Sequence, residues 1–472
     1  MDSTAAAGPL DELPRSRDRA FLGHPSAFGY LALTEAWERF SYYGMQALLV
    51  LYMVDQLLLP GHAEHVLGLG ALRAALEGVF GKLSTQALSS QIFGLYTSLV
   101  YVTPILGGIV GDRWLGRRTA VTLGALTMAA GHFMMAFDGS FLLALLALIL
   151  GGGLIKGNIA VQLGALYGPG DIRRDQAFQI FVLAINFGSI AAPLVCGALG
   201  EKVGFHWGFA AAGVGMVIGL LTYLAGRNHL PPEAPRGREA AAAEGPKPPM
   251  TAQEWRAVIA ILCLIPIFAL VMIPNNQGFN VGVLWWRDFM NLDVFGFRVP
   301  VTWLLSVTAT MAVIGLGLGV GIWKWLAARG IAPHEITKIA IGAGLAILEP
   351  LLKAGVSLLA VSTGWKLPLP MLLIWDGVGV ASFVCFYPTG LALVARAAPP
   401  RLAGALFGAF LLFTVVTNYL VGLIGAYYQP LGPVAFWALH ACLPAISLAA
   451  LLAAYKPLKS ALGDPVREVP AA

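Results

Sequence analysis

Apolar runs long enough to cross a lipid bilayer recur along almost the whole of this chain. A helix needs about 20 apolar residues to cross a hydrocarbon core of about 30 Å, and such runs follow one another from Phe28 to Tyr455. The chain is 58% hydrophobic and only 12% charged, whereas soluble domains are about one quarter charged. The sequence therefore predicts an all-α integral membrane protein with many spans.

The apolar runs predict twelve transmembrane helices in two six-helix bundles. The N-terminal bundle, 28–226, holds predicted spans at 28–54, 88–110, 117–137, 141–166, 175–198 and 205–226. The C-terminal bundle, 254–455, holds spans at 254–285, 300–323, 335–360, 368–395, 402–428 and 432–455. Between them, 227–253 is rich in Pro, Ala, Glu and Arg, which is typical of a flexible linker. Polar tails are expected at 1–27 and 456–472.

The positive charges orient these spans. When both termini are placed in the cytoplasm, the cytoplasmic segments contain most of the 30 Lys and Arg residues, as the positive-inside rule requires. The net charge of +5 therefore reflects membrane topology, and no nucleic-acid partner is expected. Two six-span halves joined by a long cytoplasmic linker are typical of major-facilitator transporters, whose halves rock around a midplane site. We expect a multi-pass protein of the plasma membrane, which in a bacterium is the inner membrane.

The loop between the second and third spans, GGIVGDRWLGRR (107–118), combines glycines, an acid and several arginines. Glycines permit close helix approach, and the acid can cap a helix or pair across a cytoplasmic gate. We interpret it as a gating clamp without substrate contact, and the alternative is a tight positive turn. The residues of this motif are Asp112, Arg113, Gly116 and Arg117.

Three charges interrupt the first span, in TEAWERFSYYGM. Glu35, Glu38, Arg39 and Tyr42 are spaced i, i+3, i+4 and i+7, which places them on one helix face. Charges inside spans are costly and by default mark a pathway or a relay. One face implies one cavity, in which Arg39 neutralises one carboxylate and the other needs a partner or a proton.

Lys156, in GGGLIKGNIAV of the fourth span, is the candidate partner for the second carboxylate. A lysine that pairs with a carboxylate in one state and releases it on protonation would couple protons to a gate. The alternative is a static ion pair that holds two helices together, because a lone buried charge is too costly.

Residues 35–44 carry a resemblance to a known family. Glu35-x-x-Glu38-Arg39-Phe40-x-Tyr42-Tyr43-Gly44 resembles the ExxERFxYYG signature of the proton-coupled oligopeptide transporter (POT, or PTR) family of the major facilitator superfamily. Other segments of both halves are similar to family motifs in the same order: SLVYVTP with Tyr101, LIKGNI with Lys156, FQIFVLAINFGSIAAP (178–193) with Asn186, VPVTWLLSVTA (299–309) and YPTGLALVARAAPPRLAG (387–404).

The resemblance implies proton-driven import of di- and tripeptides. It assigns proton coupling to Glu35, Glu38 and Lys156. It places the peptide against a group of residues from the first, second and fifth spans, with the arginine at the substrate carboxylate: Arg39, Tyr42, Tyr43, Tyr101 and Asn186. Protons are the only coupling ion expected, with no cofactor and no metal.

The C-terminal half departs from the family pattern. The tenth-span glutamate, which in the family holds the peptide amino terminus, is replaced by Phe383. Other departures occur at positions that we also expect to contact substrate: Asn276, Gln277, Thr308 and Phe410. Leu305 replaces a nearby glutamine of the family pattern. The predicted carboxylate-binding half is thus intact, whereas the half expected to bind an ammonium group has lost its acids.

Three other charges lie within spans of the C-terminal half. Asp376, in LIWDGVGV, lies seven residues before Phe383 and on the same helix face, so we consider it a candidate for substrate binding or coupling. Glu349 and Lys353 are spaced i, i+4 and can satisfy each other, so we interpret them as a structural ion pair.

We therefore expect a proton-coupled symporter of short peptides or peptide-like molecules, working by alternating access. The alternative is a member of the same fold with a non-peptide anionic or zwitterionic substrate, which the lost amino-terminal clamp would favour. An intramembrane enzyme is not expected, because only His132 and His440 lie within spans and neither has a ligand-like neighbour. We expect a monomer whose partners are its substrate, protons and the lipid bilayer.

Overall fold

The computed structural model describes residues 19–168, 170–232 and 250–463. Most of the predicted tails and of the predicted linker lies outside these ranges. The N-terminal half is helical throughout: α1 Ser26–Tyr52, α2 Leu69–Phe80, α3 Thr85–Val110, α4 Arg117–Met134, α5 Phe141–Gly164, α6 Arg173–Ala192, α7 Ala198–Lys202 and α8 Phe205–Gly226.

The C-terminal half is also mainly helical, with two short pairs of strands. Its helices are α9 Ala252–Asn276, α10 Val281–Phe289, α11 Trp303–Ala327, α12 Glu335–Thr363, α13 Leu372–Ala397, α14 Ala403–Gly425, α15 Tyr428–Ala453 and α16 Tyr455–Leu462. The strands are β1 Met290–Asn291, which runs parallel to β4 Leu367–Pro368, and β2 Asp293–Val294, which is antiparallel to β3 Phe297–Arg298. A break at Gly432, where φ is 72°, separates the first residues of α15 from its membrane-spanning part.

Ten helical segments of the described chain are long and apolar enough to cross a membrane. Two further helices complete the predicted set of twelve. Of these, α1 contains the charges at Glu35, Glu38 and Arg39 and packs against α6 and α8. The other, α4, is 18 residues long and packs against α5 and α8. The predicted all-helical architecture is confirmed.

The structure adds elements that hydropathy did not indicate. Helix α2 lies between the first two predicted spans, and α16 occupies part of the predicted C-terminal tail. A 3₁₀ turn at Arg227–His229 extends α8 into the predicted linker. These segments are too short or too polar to cross a bilayer, so a search for apolar runs passes over them.

Local capping explains where two of the long helices begin. The Ser84 side chain accepts a hydrogen bond from the Ala87 backbone at the start of α3. At the start of α9, Thr251 and Glu254 form a reciprocal capping box. Each cap satisfies backbone N–H groups that have no partner within the helix.

The backbones of the two halves approach closely where α3 meets α14. A Cβ atom added at Gly94 would lie 2.6 Å from the Gly422 Cα, so the two backbones touch without side chains between them. Small residues at such crossings let helices pack closely by van der Waals contact. In a lipid bilayer this contact matters because the hydrophobic effect does not drive helices together. This contact joins one helix of each half directly.

Candidate functional site

The charged face of α1 is buried in the N-terminal half. Arg39 Nε lies 3.1 Å from Glu35 Oε1, and Arg39 Nη2 contacts the Glu38 carboxylate. All three residues are less than 10% exposed. The sequence predicted that Arg39 neutralises one of the two carboxylates. In the structure its guanidinium lies between both of them. Two carboxylates around one cation leave this cluster one negative charge in excess when both are ionised.

Lys156 faces aromatic rings and makes no contact with the acids. Its Nζ lies 4.4 Å from the ring centre of Tyr42 and 5.3 Å from that of Tyr101. This ammonium is buried and has no hydrogen-bond acceptor within the part of the chain that the structure describes. The predicted ion pair between Lys156 and a carboxylate of the first span is therefore not formed in this conformation. Cation–π contacts compensate part of its desolvation, and an anionic acceptor is the partner it lacks.

Tyr43 connects this cluster to a cavity in the C-terminal half. Its ring packs edge-on against Tyr42 at 5.2 Å and stacks on Phe279 at 6.1 Å. The cavity, which we call the central cavity, has a volume of about 180 Å³. Tyr43 and Ser189 contribute to it from the N-terminal half, and the rest of its wall comes from α9 to α13 and the turn after α9. A space shared by the two halves is where a transporter of this architecture binds its substrate.

Three predicted substrate residues line the central cavity in the C-terminal half: Thr308, Asp376 and Phe383. The Thr308 hydroxyl donates a hydrogen bond to Asp376 Oδ2, and Asp376 is only 4% exposed. Phe383 stacks on Tyr387 with ring centres 5.1 Å apart. Two of the departures from the family pattern, Thr308 and Phe383, thus lie on the same wall of the cavity.

Glu349 and Lys353 pair as the i, i+4 spacing predicts, with Lys353 Nζ 2.6 Å from Glu349 Oε1. Lys353 also lies over the Trp437 ring, 4.8 Å from its centre. Beyond this pairing, both side chains line the central cavity beside Asp376. The interpretation as a purely structural pair is therefore incomplete, because these charges border the space that the substrate would occupy.

Seven predicted substrate residues lie outside the lining of this cavity. Arg39, Tyr42 and Tyr101 belong to the charged cluster described above, and the other four lie elsewhere. Gln277 is fully buried and donates to the Val421 carbonyl at 3.1 Å, which ties it to α14. Asn276 Nδ2 lies 3.5 Å from Asn418 Oδ1. Phe410 is fully buried against Phe268. Asn186 Nδ2 donates to the Val182 carbonyl of its own helix. Each of them supports packing or its own helix in this conformation.

The prediction missed several cavity residues, among them Asn275, Phe279, Trp286 and Ser189. The run of polar residues after Pro274 marks the end of α9 near the midplane, which is a signal for a site. Sequence alone cannot tell which of Asn275, Asn276 and Gln277 points inward. The structure places Asn275 in the cavity wall, whereas Asn276 and Gln277 both contact α14.

The predicted gating motif forms a compact turn at the end of α3. Arg117 Nε donates to Asp112 Oδ1 at 2.8 Å across Gly116, whose φ is 80°. Arg113 is exposed. Arg118, which follows Arg117 directly, donates hydrogen bonds to the carbonyls of Leu230 and Pro231 at 2.5 and 2.7 Å. Asp112 and Arg117 thus hold this turn, Arg118 holds the chain that leaves α8, and none of the four motif residues lines the central cavity.

Contacts between the halves concentrate at the end of the protein opposite the linker, which we call the linker-distal end. Arg287 Nη1 donates to both carboxylate oxygens of Asp55, at 2.5 and 2.7 Å. The Glu201 carboxylate accepts hydrogen bonds from the backbone N–H groups of Val301 and Thr302 and from the Thr302 hydroxyl. Ser90 donates to Asn280 at 3.0 Å. These contacts hold the two halves together at this end.

A family model described as the POT family matches residues 118–245. Among curated proteins, the peptide transporter YePEPT of Yersinia enterocolitica is 30% identical, over 87% of this chain and 89% of that protein. A di-/tripeptide transporter of Lactococcus lactis subsp. cremoris is 36% identical, over 63% of this chain and 55% of that protein.

Solved structures give the same picture over the whole chain. The crystal structure of a peptide transporter POT in complex with sulfate superposes with a TM-score of 0.81 at 26% identity, and covers 97% of this chain and 99% of that one. A POT family transporter in complex with 5-aminolevulinic acid has a TM-score of 0.76 at 22% identity, with 95% and 99% covered, which supports the fold alone.

Two helical bundles around a charged, aromatic cavity define a multi-pass membrane transporter of the major facilitator fold, and not an enzyme. The match to YePEPT over most of both chains makes the assignment more specific. The chain belongs to the POT family.

Proposed function

We propose that this protein is a proton-coupled symporter that imports di- and tripeptides by alternating access. The curated relatives are named as peptide and di-/tripeptide transporters, which favours peptides over the non-peptide alternative. The observation that carries the proposal is the cluster of Arg39 between two carboxylates, with the unpaired ammonium of Lys156 packed on the tyrosines beside it.

The charges of this cluster suggest how substrate and proton act together. Arg39 Nε and Nη2 face the carboxylates of Glu35 and Glu38, so a substrate carboxylate must compete with these acids for the guanidinium while both are ionised. Protonation of one acid removes a competing anion and frees guanidinium N–H groups for the substrate. A substrate carboxylate between Arg39 and Lys156 would then have two cationic partners, so proton and substrate bind more tightly together than separately.

The closed linker-distal end fits one state of an alternating-access cycle. With both termini placed in the cytoplasm, this end faces outward, and the conformation is the one that releases substrate inward. Opening of the outer side requires that the Asp55–Arg287 and Glu201–Thr302 contacts break. The Asp55–Arg287 pair is a partly exposed ion pair of modest strength, which suits an interaction that forms and breaks in each cycle. The Glu201 contacts involve the buried Thr302 and comprise three hydrogen bonds, so their opening costs more.

The test is uptake by the purified protein in proteoliposomes. A labelled dipeptide should accumulate when the outside is more acidic than the inside, and the accumulation should collapse when a protonophore removes the gradient. A tripeptide should compete, whereas a free amino acid should compete weakly. Absence of di- and tripeptide uptake under an inward proton gradient would refute peptide import, and uptake insensitive to the protonophore would refute coupling.

A further inference from the structure

The C-terminal wall of the central cavity contains a second cluster of charges, built from α12 and α13. It holds two carboxylates, Glu349 and Asp376, and one ammonium group, Lys353, each less than 10% exposed. Lys353 is engaged by Glu349 at 2.6 Å. Asp376 instead receives a hydrogen bond from a neutral group, the Thr308 hydroxyl. Among the residues that the structure describes, no cationic side chain forms an ion pair with Asp376.

Gly379 fixes how close the two acids lie. It follows Asp376 by three residues, so it is one helical turn away on nearly the same face of α13. A Cβ atom added there would lie 2.5 Å from Glu349 Oε2 and 2.9 Å from its carboxyl carbon. The Glu349 carboxylate thus rests on the bare backbone of α13, within about one turn of Asp376.

An excess of one carboxylate in a site of low dielectric favours a cation. Burial of an ionised carboxylate is costly unless a charged partner or several hydrogen bonds compensate it. A cationic group in the cavity would supply that partner, and the nearby rings of Phe279, Trp286 and Tyr43 add favourable cation–π faces. The ligand group that suits this wall is a primary ammonium.

We propose that Asp376, positioned by Thr308 and backed by the Glu349–Lys353 pair, binds the ammonium group of the substrate. This inference rests on the proposed function, and it adds the chemistry recognised by the C-terminal half. A zwitterionic substrate would then span the cavity, with its carboxylate toward Arg39 and Lys156 and its ammonium group toward Asp376. The substrate ammonium group does not have to displace Lys353 from Glu349, because Asp376 is the acid that lacks a charged partner in the described ranges of the chain.

The test compares ligands that differ only in the ammonium group, with purified protein in lipid nanodiscs. The wild-type protein should bind dialanine with at least about tenfold higher affinity than N-acetyl-dialanine, because only dialanine can form a charged hydrogen bond with Asp376. In Asp376→Asn this ratio should fall to about one, mainly through weaker dialanine binding. The matched control, Asp293→Asn on the exposed strand β2, should keep the wild-type ratio.

Two variants extend the test to the supporting residues and guard against a folding defect. Thr308→Val keeps the charge of Asp376 but removes its donor, and Gly379→Ala displaces the Glu349 carboxylate. Both should lower the ratio of dialanine to N-acetyl-dialanine affinity without changing N-acetyl-dialanine binding. If Asp376→Asn does not fold, the ratio of dialanine to N-acetyl-dialanine affinity in these two variants tests the proposed ammonium site. A ratio that stays at the wild-type value in every folded variant overturns the subsite.

A separate probe distinguishes failure of this subsite from failure of the proposed function. If the wild-type protein binds neither peptide, peptide transport is refuted, and the subsite is then judged on 5-aminopentanoate against pentanoate. Preference for the amino acid, lost in Asp376→Asn, would support the ammonium site on a non-peptide substrate. Equal binding of these two acids, or binding of neither, would overturn it as well.

Discussion

Arg287 Nη1 donates hydrogen bonds to both oxygens of Asp55, and this pair joins the N-terminal half to the C-terminal half at the linker-distal end. Asp55 follows α1, the helix that contains Glu35, Glu38 and Arg39. Arg287 lies on α10, just after the turn that contributes Phe279 to the central cavity. A movement of either half that opens this end therefore also moves a wall of the cavity.

The first prediction concerns this inter-half pair. Both side chains are roughly one third exposed, and such pairs contribute about 0.5–1 kcal/mol. Asp55→Asn should thus shift the population toward the state open at the linker-distal end by about two- to fivefold. Distances between spin labels on the two halves would measure this shift. The charge-reversed double variant, Asp55→Arg with Arg287→Asp, should restore the wild-type distribution. An unchanged distribution in Asp55→Asn would contradict a stabilising role of this pair in the closed state.

The second prediction concerns Lys156, whose ammonium contacts the rings of Tyr42 and Tyr101. Lys156→Ala should abolish gradient-driven accumulation of a dipeptide, because the substrate carboxylate loses one of its two cationic partners. Exchange of dipeptide across the membrane should survive at a reduced rate. Lys82→Ala, at an exposed position between α2 and α3, is the control and should transport normally. Wild-type accumulation in Lys156→Ala would exclude a coupling role.

The third prediction concerns the crossing of α3 and α14. In Gly94→Ala the new methyl group would lie 2.6 Å from the Gly422 Cα and 2.9 Å from its backbone nitrogen. Backbone atoms cannot move aside cheaply, so we expect a loss of about 1–3 kcal/mol in the stability of this closed state. A lower thermal midpoint and slower uptake would report it. Gly70→Ala, where the added atom meets nothing within 4 Å, should leave both unchanged or slightly raise the midpoint.

The fourth prediction concerns Phe383, which occupies the position of the acid that holds the amino terminus in the resembled family pattern. Its ring lines the cavity and stacks on Tyr387. Phe383→Glu should raise the affinity for dipeptides with a free amino terminus by about three- to tenfold, since a second carboxylate joins Asp376. Phe383→Gln has the same shape without the charge and should show no gain. Equal dipeptide affinity in the two variants would refute this reasoning.

Features that depend on local spacing could be predicted from the sequence. The i, i+4 intervals of Glu35 with Arg39 and of Glu349 with Lys353 both became contacts. The Asp112–Arg117 turn also closes around Gly116 as a short, self-contained motif. Each relation depends on the geometry of one helix or one turn, which the chain determines without reference to distant residues.

Features that depend on how helices are rotated against each other could not be predicted. Lys156 was expected beside a carboxylate, and it packs instead on two tyrosine rings. Asn276 and Gln277 were expected to contact substrate, yet their neighbour Asn275 lines the cavity and Gln277 bonds to α14. A rotation of about 100° per residue separates neighbours on a helix, so only the packed bundle selects the one that faces inward.

By itself the sequence determined that this chain is a helical membrane protein of two six-span halves, with charges on one face of its first span. Hydropathy over about 20 residues and spacing along one helix are local properties, so no folded structure is needed to recognise them. Only the tertiary structure decided that Asp376, Glu349 and Lys353 share a cavity with Tyr43. Those residues come from three different helices, and their meeting depends on packing between elements far apart in the chain.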